Sequence, residues 1–126
     1  MSRRLAVSRG RFRRYVRRAV EELPERFRRA ADNLLVVVEP SPQPADYANP
    51  RKDDEGGPLF GIYRGIPLAE RSGGYLLAAP DIIAVFRRPL LRHCRRRAQL
   101  RAEIRRTVVH EFGHYLGLDE AAVEHV

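Results

Sequence analysis

The chain has 126 residues, 44% hydrophobic and 32% charged, with a formal net charge of +8 and a single cysteine, Cys94. That length makes one domain, that composition excludes a disordered chain poor in apolar residues, and one cysteine excludes an internal disulfide scaffold. No stretch approaches the ~20 apolar residues of a membrane span, and no apolar run follows the basic N-terminus as in a signal peptide, so the expected setting is reducing, cytoplasmic and off the membrane.

Residues 1–9 read as a flexible basic tail, and 10–126 as a single domain. Phe12, Tyr15, Val16, Ala19, Val20 and Leu23 recur at helical spacing, with Arg11, Arg13, Arg14, Arg17 and Arg18 mostly on the opposite side. This predicts an amphipathic helix. Pro24 opens a second, short helix with Phe27, Ala30 and Ala31 inward, since proline suits a first turn. Leu34 to Val38 is a β-branched apolar run, which reads as a buried strand. Residues 40–58 hold five prolines, Gly56-Gly57 and Asp53-Asp54-Glu55. They read as a long loop, the kind usually tied to function or disorder. The acidic triplet is expected to be solvated.

Leu59 to Tyr63 predicts a second strand, ended by a turn at Arg64-Gly65. Ser72-Gly73-Gly74-Tyr75 reads as a loop or edge segment, and Asp81 to Phe86 as a third strand closed before Pro89. A helical pattern then runs from about Gln99 to Leu116, with Leu100, Ile104, Val108, Phe112 and Tyr115 on one face. Gly117 ends it. Helices gathered on one face of a small sheet make an α+β fold.

The charge is uneven. Residues 1–30 carry 11 Arg against 3 Glu, and residues 87–106 carry 9 Arg against one Glu. Basic stripes of this kind bind nucleic acid or acidic membranes in some proteins. Arg outnumbers Lys 23 to 1 across the chain, however, which points to a composition bias. A solvated basic surface is therefore the favoured reading, and nucleic-acid binding through the first helix ranks well below it. His93-Cys94 sits among Arg92, Arg95, Arg96 and Arg97, a setting that can lower a thiol's pKa. With no base beside it, Cys94 reads first as structural.

The chemistry concentrates in His110-Glu111-Phe112-Gly113-His114. Four residues is about one helical turn, so the two histidines stand on one face, ~6 Å apart along the axis. Both imidazoles then reach one ion at zinc–nitrogen distances of about 2.0–2.1 Å. Glu111 lies one step round the helix, where it suits the general base for a zinc-held water better than a ligand. A third ligand is needed. Gly117 lets the chain turn back, and the spacing H-E-x-x-H-x-x-G-x-x-[His or Asp] puts Glu120 in that place, with Asp119 as runner-up. Glu124 is too close to His114 in sequence to serve from a separate helix. Met1 is the only methionine, so a methionine turn beneath the metal is not expected. Tyr75, Tyr63 and Arg71 are candidates for stabilising an oxyanion. An extended peptide substrate is expected on a sheet edge, with Ile82–Phe86 and Ser72–Tyr75 as candidates.

The chain resembles the small bacterial zincin-like metallopeptidases, or mini-zincins, over about residues 11–125. The resemblance rests on Leu23-Pro24-Glu25-Arg26-Phe27, Val36-Val37-Val38-Glu39, and Leu59 through Leu68. It extends through Glu70-Arg71-Ser72, Phe86 through Leu91, and Thr107 through His114. It implies a minimal zincin-like α+β fold: a three- to four-stranded sheet, N-terminal helices, a long active-site helix and no methionine turn. It also implies a zinc cofactor and a peptide or protein substrate. Relatives commonly carry Asp where this chain has Glu120, and often His where it has Tyr115. The expected function is zinc-dependent peptide hydrolysis. The alternatives are a catalytically silent metal-binding module on the same scaffold and, further behind, the nucleic-acid binder. Oligomeric state is left open.

Overall fold

In the computed structural model, described over residues 5–29, 33–49, 52, 57–66 and 81–117, the order of elements is helix, helix, strand, helix, strand, strand, helix, helix. The first helix, α1 (Arg9–Glu21), begins where the Ser8 hydroxyl accepts the Arg11 N–H at 3.1 Å, satisfying one of the free donors of a first turn. Phe12, Val16 and Ala19 form its buried stripe. After Pro24, α2 (Glu25–Arg29) buries Phe27, which stacks on Phe112 with centroids 5.9 Å apart.

Three strands form one mixed sheet in the order β1-β3-β2. These are β1 (Leu34–Glu39), β2 (Gly61–Arg64) and β3 (Asp81–Phe86). β1 runs parallel to β3, Leu34 opposite Asp81 and Glu39 opposite Phe86. β2 runs antiparallel to β3, Gly61 opposite Val85 and Arg64 opposite Ile82. Alternate residues point to opposite faces of a strand. On one face Tyr63, Ile83 and Val85 join the main core with Phe12, Leu100 and Ile104. On the other, Ile62, Ala84 and Phe86 form a small second cluster. β3 flows directly into α4 (Arg87–His93), and α5 (Arg97–Leu116) then packs against α1, α4, β2 and β3. The expected stripe Leu100, Ile104, Val108, Phe112 and Tyr115 is fully buried. The fold is thus the expected α+β arrangement, with helices against a three-stranded sheet.

Three local expectations change. The second strand starts at Gly61 rather than Leu59 and runs to Arg64. The loop after β1 contains a helical turn, α3 (Pro44–Tyr47). Pro44 pre-sets its first residue, and the Asp46 carboxylate accepts the Gln43 N–H at 2.7 Å, closing the turn. At the other end, residues 5–8 are not a free tail. Leu5 and Val7 pack on the core, and the Leu5 N–H donates to the Leu91 carbonyl at 3.3 Å. Two apolar side chains in an otherwise basic stretch account for the docking. Among the described residues no helix is long and apolar enough to cross a membrane.

Candidate metal centre

The site is built where α5 presses on β2, and glycine makes that approach possible. A Cβ on Gly61 would lie 2.5 Å from Thr107 Cγ2 and 2.9 Å from the Ala84 carbonyl oxygen. Real side chains do not tolerate such contacts, so only glycine lets helix and strand meet this closely. The closeness brings the backbone of β2 within reach of Glu111. The Tyr63 N–H donates to Glu111 Oε1 at 3.0 Å. Glu111 is only 6% exposed, and this bond fixes its rotamer. A buried carboxylate without such a donor would be costly.

His110 and His114 are half-buried on the adjoining face. Their Nε2 atoms lie 3.0 Å apart, with the rings nearly perpendicular at 81°. Two nitrogens bound tetrahedrally to one ion at 2.0–2.1 Å stand about 3.3–3.4 Å apart. The pair therefore needs only a few tenths of an ångström to accept zinc. His110, Glu111 and His114 each offer a ligand atom, all within 4.8 Å of one another. Imidazole and carboxylate donors suit zinc. The residues fit the metal that their spacing implies.

The expected third ligand, Glu120, and its runner-up Asp119 lie outside the described residues, as do Arg71, the Ser72–Tyr75 segment, Glu124 and the Asp53–Glu55 triplet. The turn that would deliver the ligand lies within them. Gly117 caps α5 in the left-handed region at φ 82°, and its N–H donates to the His114 carbonyl at 3.0 Å. A residue with a Cβ would be strained there.

Beside the pair lies a cleft of about 340 Å³, lined by Tyr47, Leu59, Phe60, Lys52 and Arg106 together with His110 and Glu111. It offers an apolar wall, Lys52, and an Arg106 that is ion-paired with Glu103 of the same lining at 2.7 Å. Two sequence expectations are corrected around it. Tyr63 does not offer its phenol to the cleft: its ring is fully buried, edge-on to Tyr115 at 5.7 Å, and its contribution is the backbone N–H. Nor can β3 pair with a peptide, because it is the central strand, bonded on both sides. On β2 the Tyr63 carbonyl accepts the Asn49 side-chain amide at 3.2 Å, so that edge is committed at Tyr63 as well.

A second polar cluster anchors the Pro-rich segment. Arg64 donates to both Asp46 oxygens at 2.8 Å and both Glu39 oxygens at 2.9 Å. These paired bonds and charges hold the guanidinium protonated well above its ordinary range. For Asp46, burial pushes the pKa up. Hydrogen bonds from Arg64 and the Gln43 N–H, with the Arg64 charge, outweigh it and hold the carboxyl below its usual value. The cluster ties α3 to the sheet and so places Tyr47 at the cleft.

Cys94 is 1% exposed, within the core. Burial, helped by the charge of Glu103, pushes its thiol up to about 11. The neighbouring arginines do not activate it, and the structural reading stands. Neither the Gly61 approach nor the Tyr63–Glu111 bond was read from the sequence, since each joins β2 to a helix some 45 residues away. The only signal was a glycine inside a strand, which often marks close backbone approach.

Residues 31–126 match the zincin-like metallopeptidase family. Among solved structures, a conserved hypothetical protein from Thermus thermophilus is similar at 27% identity and a TM-score of 0.56, covering 94% of this chain and 100% of that one. No curated protein matches detectably.

Proposed function

The chain belongs to the zincin-like metallopeptidase family, and from that premise we propose that it is a zinc-dependent hydrolase of peptide bonds, acting as one domain. The observation that carries this reading is the convergence of the His110 and His114 Nε2 atoms, 3.0 Å apart, beside a buried carboxylate. His110 and His114 would hold the ion through Nε2, with Glu120 as the third ligand and Asp119 as its alternate.

When bound, zinc lowers the pKa of a coordinated water towards neutrality and polarises a carbonyl. The chain's own part is proton transfer and positioning. Glu111 takes a proton from the attacking water and returns it to the leaving amine, a role worth about 10²–10⁴ in rate. The Tyr63 N–H holds that carboxylate in one orientation, so no reorganisation is needed at the moment of transfer. The cleft beside His110 takes the substrate side chain nearest the cleaved bond. Its lining by Leu59 and Phe60 favours an apolar group there, since Arg106 is already paired with Glu103. A reducing, cytoplasmic setting fits a sole cysteine kept as a free buried thiol.

The test is cleavage of a peptide library by zinc-loaded protein, followed by mass spectrometry. Cleavage that disappears in Glu111→Gln while zinc is retained supports the proposal. Zinc retained by a wild-type protein that cleaves nothing would instead make the chain a metal-binding module.

A further inference from the structure

A second cavity lies away from the metal centre. It is a groove of about 620 Å³ between α1 and α5, whose lining includes Arg14, Arg17, Arg18, Arg101 and Arg105. In sequence these arginines belong to two basic segments, and Arg18 is more than 80 residues from Arg101. Folding brings the segments together, because Phe12, Val16 and Ala19 of α1 pack on the same core as Leu100 and Ile104 of α5. What read as two solvated faces becomes one cationic channel.

The five arginines are all exposed. They face only two carboxylates in the lining, Glu21 and Glu22, both at the C-terminal end of α1. Arg105 reaches Glu22 at 3.9 Å, a loose and solvent-screened contact. Among the described residues the side chains of Arg14, Arg17 and Arg18 have no hydrogen-bonding or ion-pair partner. Tyr15 also lines the groove, with the Arg101 guanidinium 5.8 Å from its ring centre.

We infer that this groove binds single-stranded nucleic acid through its phosphates. Arg14 and Arg18 on α1, and Arg101 and Arg105 on α5, are each spaced by four residues. Each pair is therefore a ladder with one charge per ~6 Å of helix. A regular ladder of guanidinium forks matches a polymer with one phosphate per residue better than the irregular carboxylates of a peptide. A cationic groove with an aromatic ring in it is the common arrangement for following a single strand. The groove lies between two packed helices, α1 and α5. The formal net charge of +8 draws any polyanion towards the surface, and the groove gives it a place to dock.

Arg101 and Arg105 project from α5 roughly 140–180° around the helix from His110 and His114. The groove is thus independent of the metal centre, and of any peptide hydrolysis there.

The experiment is fluorescence anisotropy with a labelled strand of about ten thymidines, a length within single-strand site sizes, titrated over a salt series. Wild-type protein is expected to bind with a slope of log affinity against log salt near −3 to −3.5, from four or five phosphates at about 0.7 each. The pair Arg17→Gln with Arg101→Gln is expected to reduce that slope by about 1.4. The pair Arg88→Gln with Arg92→Gln removes equal charge from exposed sites outside the groove and is expected to leave the slope unchanged. His110→Ala is expected to bind as wild type. Absence of salt-dependent binding overturns the inference, and so does equal loss in both arginine pairs. Displacement of the strand by polyglutamate at matched charge also overturns it, since the groove would then be a dock for acidic protein.

Discussion

Two polar clusters flank β2, and they are built on opposite principles. Around Arg64, one guanidinium is clamped by the carboxylates of Glu39 and Asp46, with every contact between 2.8 and 2.9 Å. Charge meets charge, and the cluster is complete within the chain. Around Glu111, two imidazoles and a carboxylate gather within 4.8 Å, and all three are electron-pair donors to a cation. The first cluster stabilises the fold. The second gathers donor atoms of the kind that hold a metal ion. One strand serves both: Arg64 offers its side chain to the first, and Tyr63 its N–H to the second.

This contrast can be broken by substitution, and the largest effect is expected at Glu111. Glu111→Gln keeps the acceptor for the Tyr63 N–H and removes the base. Turnover is expected to fall by about 10²–10⁴ with zinc content and melting temperature near wild type. A variant that loses zinc or unfolds would make Glu111 a structural residue like Asp46.

Gly61→Ala is next. Its methyl group would meet Thr107 Cγ2 at 2.5 Å and the Ala84 carbonyl at 2.9 Å, and the rigid sheet cannot yield. Overpacking of this kind costs about 1–3 kcal/mol. Urea denaturation is expected to show that loss, with reduced activity as Tyr63 and Glu111 separate. Thr107→Ser should recover part of it, because it removes one of the two clashes.

Asp46→Asn probes the other cluster. It is expected to cost about 1.5–3 kcal/mol, the range for hydrogen bonds to charged groups, while zinc content stays as in wild type. Its pH dependence has a definite sign. A carboxyl whose pKa is held down by folding stabilises fully above its unfolded value of about 3.9, and that stabilisation is lost as pH falls through the folded value. The gap between wild type and Asp46→Asn should therefore hold from pH 7 to 5 and close below about pH 4. A gap that widens in acid would contradict the assignment.

The smallest effect is at Cys94, in neither cluster. Its thiol is pushed up to about 11 by burial and the Glu103 charge. A group that ionises later when folded stabilises fully below the unfolded value of about 8.5, and the stabilisation is lost as pH rises towards 11. Iodoacetamide at pH 8 is expected to leave native Cys94 unmodified and to alkylate it in denaturant. Rapid alkylation of the native protein would place the thiol outside the core.

Much of this was legible in the sequence, and what was legible is local. The period of Leu100, Ile104 and Val108 and the glycine after Leu116 are properties of neighbouring residues, and so is the four-residue interval from His110 to His114. Each was read correctly because the helix repeat decides it. The contacts that separate the two clusters are not local. Tyr63 reaches Glu111 across 48 positions, and Arg64 reaches Glu39 across 25. No spacing rule announces them. Gly61 read as an ordinary strand residue, and Arg64 as part of a turn. Residues 44–49 looked like open loop because the bonds that hold them, through Asp46 and Asn49, come from a strand beyond them. The joining of the two arginine segments is hidden for the same reason.

The central claim is that the second cluster is a zinc site. The most direct test is the metal content and zinc X-ray absorption spectrum of purified wild type, His110→Ala and His114→Ala. One zinc per wild-type chain, held by two imidazoles and lost in both variants, is the expected result. Wild-type protein that takes up no zinc, or variants that keep it with an unchanged spectrum, would contradict the account.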